Sequence, residues 1–247
     1  EFVYIYLMRL LLILLLLLQA NSLKANEINY LLNIPSLEIY KLNNPNGIKY
    51  LSSKNSFKIG INNNITCDQA NKESLKKKFP LIKKNLEIYK SEFLKKINLR
   101  FVVLCENLFI SKINTAGIPD HEKRTLILDL NFNEKYFERV IHHEIFHIIQ
   151  DSHKTIFDEK VWSNFNNNEF QYAECSTCSD RLGLDLYDKT NGFLTEYSKS
   201  VPSEDMAEVY SFLVTNEINI KNKSKKDPIL FKKIKFIETG INKIKKF

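Results

Sequence analysis

The sequence predicts an α+β chain with a small mixed sheet, and three observations predict it. Short β-prone runs crowd the first 130 residues, one long stretch there and another just after them keep a 3.6-residue apolar period, and the last part carries helix signals without strand signals. The 247 residues, 44% hydrophobic and 26% charged, suit a globular chain. That composition excludes wholesale disorder, a collagen-like repeat and a multi-span membrane protein.

The elements follow in chain order. Residues 10–18 are an unbroken apolar run with Arg9 before it and Gln19-Ala20-Asn21-Ser22 after it. A charged start, a short apolar stretch and small residues make a signal peptide over residues 1–25, with Met8 as its natural start and cleavage after Ser22 or Ala25. The alternative is an uncleaved N-terminal membrane anchor over residues 2–18, in which Arg9 would cost roughly 2.5 to 3.5 kcal/mol in hydrocarbon. The expectation is an exported protein, periplasmic or extracellular, whose residues 26–247 form one domain. Within it, residues 26–152 make an N-terminal subdomain and residues 153–247 a C-terminal one.

Residues 37–42, 47–51 and 57–61 read as strands, the first two separated by the turn chemistry of Asn43-Asn44-Pro45-Asn46-Gly47. From residue 71 to 97, Leu75, Phe79, Ile82, Leu86, Tyr89 and Phe93 form one helical stripe with lysines on the other faces, and Pro80 is expected to kink or divide that helix. Residues 99–104 and 125–130 read as two more strands. Next comes the best-marked helix, residues 133–151, with Asn131 or Asn133 as N-cap, Glu134 in its first turn and Phe137, Val140, Ile141, Ile145 and Ile148 in period. A polar, cysteine-containing loop follows residue 164. A helix is expected from Ser203 as N-cap to about residue 216, and a terminal one over residues 228–246.

The net charge of +7 invites a nucleic-acid reading, but residues 72–100 and 221–247 carry +7 and +8 whereas residues 101–220 carry −10. In the tail the lysines alternate with Ile and Phe as on an amphipathic helix, without interleaved arginines, so no nucleic-acid partner is expected. Contact of this tail with a membrane or wall surface is the alternative use of its charge. Four cysteines in an exported chain favour disulfides, Cys67–Cys105 and Cys175–Cys178 being the expected pairs; other pairings, free thiols or half a zinc site at Cys175 and Cys178 are the alternatives.

Within the best-marked helix stands His143-Glu144-Ile145-Phe146-His147, an HExxH motif. Residues i and i+4 share a helix face, so both imidazoles can reach one ion, and Glu144 turns to the side where water would approach. Zinc suits two imidazoles and a carboxylate with a fourth position left open. His153 follows His147 by six residues, but Gln150 stands where the chain would need glycine to leave the helix, and on a continued helix His153 would point about 240° away from His147. The better third ligand lies in Ser203-Glu204-Asp205-Met206-Ala207-Glu208. There Glu204 and Glu208 share a helix face, one suited as ligand and the other as partner of a ligand imidazole.

An HExxH motif followed some fifty residues later by ExxAE, with Tyr197 seven residues before Glu204, resembles the zincin metallopeptidases with a glutamate third ligand. The similarity is to the group of anthrax lethal factor and the Pro-Pro endopeptidases, and it runs over about residues 124–215. It implies a zincin-like fold, with an edge strand at residues 125–130 over the active-site helix and a mainly helical C-terminal part. It also implies His143, His147 and Glu204 as ligands of Zn2+, Glu208 as the group that orients a ligand, and Glu144 and Tyr197 as catalytic residues.

The function that follows is that of an exported zinc metalloendopeptidase, expected as a monomer, that hydrolyses a protein or peptide substrate. Glu144 acts as general base on a zinc-activated water, and Tyr197 steadies the oxyanion. Two alternatives stay open: a zinc hydrolase of a non-protein amide, and an exported binding protein with a vestigial zinc site.

Overall fold

The computed structural model describes residue 34, residues 37–41 and residues 44–246. The leader expected over residues 1–25 lies outside the described residues. Eight strands, β1 (Leu37–Lys41), β2 (Lys49–Ser53), β3 (Phe57–Ile59), β4 (Ile65–Asp68), β5 (Phe101–Ile110), β6 (Ile113–Asn114), β7 (Gly117–Asp120) and β8 (Thr125–Asp129), form a mixed sheet. Seven helices are seen among the described residues: α1 (Lys72–Glu87), α2 (Ser91–Lys96), α3 (Glu134–Ser152), α4 (Glu159–Ser163), α5 (Pro202–Thr215), α6 (Glu217–Ser224) and α7 (Pro228–Lys246). This is the α+β class the sequence predicts, with strands first and helices after.

β5 organises the sheet. Its first half runs parallel to both β2 and β8, pairing Val102 with Tyr50 and with Leu126; its second half turns to antiparallel partners, β4 and β6. Side chains alternate across it: Val102 and Leu104 enter the main core with Leu126 and Leu128, while Val103 and Cys105 enter a smaller core on the other face with Ile127, Phe57 and Leu51. The Cys67–Cys105 disulfide closes that smaller core by tying β4 to β5, and Cys175–Cys178 is also bonded.

Helix α3 lies on the main-core face. Asn133 is its N-cap, the side chain accepting from the Lys135 N–H at 3.0 Å. Its apolar stripe, Phe137, Val140, Ile141, Ile145 and Ile148, is buried as the periodicity requires. Helix α5 packs along it, so the two short motifs meet.

Three expectations are corrected. Residues 125–130 are not an edge: β8 is held by β5 on one side and by β7 on the other, and among the described residues the edge beside α3 is β7, Gly117-Ile118-Pro119-Asp120. Pro80 neither breaks nor divides α1, which is continuous through it; Pro80 and Lys76 are exposed, so the carbonyl deprived of its partner can be solvated. The break falls instead at residues 88–90, between α1 and α2. Helix α5 begins at Pro202 with Val201 as N-cap and no side-chain cap, so Ser203 already lies inside the helix.

Candidate metal centre

The site lies where α3 and α5 face each other beneath β7. His143 and His147 project from one face of α3, and Glu204, in the first turn of α5, meets both: its Oε2 lies 2.9 Å from His143 Nε2 and 3.1 Å from His147 Nε2, and the two Nε2 atoms are 3.2 Å apart. Two ligands bound 2.0–2.1 Å from one tetrahedral ion are about 3.3 Å apart, so these three atoms have the spacing of a zinc ligand set. Two ring nitrogens and one carboxylate oxygen form the only group of this kind among the described residues.

The surroundings set the charge of each group. Burial works against a positive His143, but hydrogen bonds to Glu204 and Glu208 override it and lift the ring to about 10. Burial likewise opposes a charge on Glu204, and His147 and His143 pull the carboxyl well below the usual carboxylate range. The same field that holds a proton on the imidazole would hold a divalent cation in its place.

Behind His143 stands a second layer. Its Nδ1–H donates to Glu208 Oε1 at 2.9 Å, which leaves Nε2 for the metal side. The same Glu208 oxygen accepts from Arg139 Nη1, and Glu208 Oε2 accepts from the Thr195 hydroxyl at 2.8 Å. Arg139 also donates to Leu184 O at 3.0 Å and lies over the Phe212 ring. It thereby ties the loop after α4 to the ligand helix.

Glu144 lies under β7, lines the same cleft as the ligand set and is 8% exposed. Burial pushes its carboxyl up to about 7, against the pull of His143 and His147. The Tyr197 ring stacks on His143 with centroids 5.9 Å apart, and burial, with Glu204 and Glu144 nearby, raises its hydroxyl so that it stays protonated. His153 is elsewhere: it caps α3, its Nδ1 lying 3.3 Å from Ile149 O.

A cleft of about 850 Å³ opens over these groups. Toward the start of α3 its walls include Phe132, Val140 and Leu184; toward the end they include Gln150, Asp151 and Lys154. Ser176 and Thr177, within the Cys175–Cys178 loop, and residues 116–119 of the β7 region form its rims. Asp129 N–H donates to Ala116 O at 2.9 Å, which puts Gly117 and Pro119 at the alternate positions whose backbone groups face away from β8.

The structure therefore brings together His143, Glu144, His147, Tyr197, Glu204 and Glu208. Sequence reasoning missed Arg139, Thr195 and Gly117. Arg139 had a local signal, since it lies one turn before His143 on the same helix face. His142, adjacent to the motif, faces away, bonded to the Tyr89 hydroxyl at 2.7 Å and to Asn85 Oδ1 at 2.8 Å.

Residues 87–245, more than half of the chain, match a family described as "Putative zinc-binding metallo-peptidase". No curated protein matches the chain.

Proposed function

The chain belongs to that family of zinc-binding metallopeptidases, and we propose that it is an exported endopeptidase with a glutamate third ligand, of the type to which lethal factor belongs. The observation that carries this reading is the convergence of His143 Nε2, His147 Nε2 and Glu204 Oε2 within 3.2 Å of one another, with Glu144 lining the same cleft. These three residues would hold the ion. When bound, zinc supplies Lewis acidity and an activated water at that point.

The chain's own groups do the rest. Glu144 takes the proton from the attacking water and passes it to the leaving amine, and its burial under β7 disfavours the charged carboxylate and so favours both transfers. Tyr197, kept protonated, donates its hydroxyl to the developing oxyanion. Glu208, anchored by Arg139 and Thr195, fixes the tautomer and orientation of His143. An extended peptide adds to β7 along the edge that no described strand pairs, where Gly117 offers its N–H, and its C=O beside the 3.1 Å bond that it accepts from the Thr115 hydroxyl, and Pro119 offers only its C=O. Residues 1–25 would direct export, and the basic tail would touch a membrane or wall surface.

The test is a peptide-library digest with and without chelator, on the wild type and on Glu144→Gln, with zinc measured in both. Cleavage that chelator abolishes is expected. The variant should keep its zinc and lose roughly 10²- to 10⁴-fold in kcat. Full activity in zinc-loaded Glu144→Gln would rule the scheme out.

A further inference from the structure

Gly117, the first residue of β7, has a backbone that does not explain its identity. Its φ lies outside the left-handed region that favours glycine, unlike Gly47, Gly60 and Gly192. Space explains it instead. The next residue, Ile118, packs into the small core on the far side of the sheet, so position 117 faces α3 by the alternation of a strand. A Cβ there would lie 2.8 Å from Glu144 Cγ, 3.3 Å from Glu144 Cδ and 3.0 Å from Ile127 O. The last of these is backbone of β8, fixed in the sheet, so Glu144 is the group that would have to move.

We infer that Gly117 is a positioning residue for the proposed hydrolysis: its bare Cα is the surface against which the Glu144 side chain rests, and this contact places the carboxylate beside the ligand pair. The inference rests on the reading of Glu144 as general base. A methyl group at 117 pushes the Glu144 side chain aside and displaces the carboxylate, while the backbone N–H and C=O of residue 117 are retained. A misplacement on the order of 1 Å is enough to cost about 100-fold in rate.

The experiment has two arms. In the zinc-loaded protein, Gly117→Ala should lose on the order of 100-fold in kcat with KM within about twofold of wild type and zinc content unchanged. In the metal-free protein, thermal melting of Gly117→Ala, Glu144→Ala and the double variant forms a cycle: Gly117→Ala lowers Tm, and the loss disappears when Glu144 is also alanine. Wild-type kcat in Gly117→Ala overturns the inference, as does a Tm loss that persists undiminished beside Glu144→Ala, because the clash would then be with β8. Should Gly117→Ala not fold, recovery of folding in the double variant supports the contact and continued failure overturns it. Full activity of Glu144→Gln would sink the general-base reading instead, and the melting cycle would still report on the contact.

Discussion

Helix α5 carries two buried acidic faces one residue apart, and they have opposite characters. Asp205 is fully buried, and its Oδ2 accepts from Lys233 Nζ at 2.6 Å, from the Tyr172 hydroxyl at 2.6 Å and from Trp162 Nε1 at 2.9 Å. Lys233 is equally buried, and also donates to Gly192 O at 2.8 Å. This cluster ties α4 and the loop after it to α5 and α7. Glu208 also has its countercharge in the chain, Arg139. Glu204 has none that is permanent, only two imidazoles that can exchange a proton for a metal ion. A buried carboxylate thus builds the fold where the chain supplies its cation, and forms a site where the cation must come from outside.

The largest effects should come from exchanging the two neighbours' fates. Glu204→Ala should abolish stoichiometric zinc binding while the metal-free protein stays folded. Asp205→Ala should lose about 3 to 5 kcal/mol in denaturant melts, because Lys233 is left buried and unpaired. Elemental analysis and urea titration of both variants decide it. Unfolding by Glu204→Ala, or unchanged stability in Asp205→Ala, would erase the distinction.

A smaller effect belongs to Glu208, which lies between the two characters: it has a fixed cation, yet it touches a ligand. Glu208→Gln keeps the shape and weakens the charge on His143 Nδ1–H, so zinc affinity should fall about 10- to 100-fold, read by competition with a chromophoric chelator. An affinity equal to wild type would make Glu208 a purely structural group like Asp205.

What the sequence discloses depends on how local the signal is. His143, Glu144 and His147 are legible because ligand spacing and helix period coincide within five residues, and Glu204 with Glu208 repeats that logic on α5. The edge strand was not legible. The apolar run at 125–130 is what a strand buried on both faces looks like, and β8 is such a strand. The true edge contains Gly117 and Pro119, which read as turn residues; only an edge tolerates the missing N–H of proline. β5 outruns the apolar run at 99–104 because β4 and β6 pair with its second half, beyond the polar Glu106 and Asn107 that interrupt that run. Arg139 shares a helix face with His143, but its partner Glu208 lies 69 residues further on, a pairing that helix spacing does not give.

The smallest expected effect tests the choice of ligand itself. His153 and Glu204 are the two residues that the sequence offers as third ligand, and the structure puts only Glu204 with the pair. His153 ends α3 with its Nδ1 near Ile149 O, so its contribution is that of a histidine at a helix C-terminus, about 0.3 to 1 kcal/mol when charged. His153→Ala should therefore leave zinc stoichiometry unchanged and affinity within about twofold, with a stability loss no larger than that figure. A loss of zinc in this variant, with Glu204→Ala still binding the ion, would require α3 to end a turn earlier so that the chain could bring His153 back to the pair. It would place the exchangeable charge at the end of α3 and remove Glu204 from the contrast with Asp205.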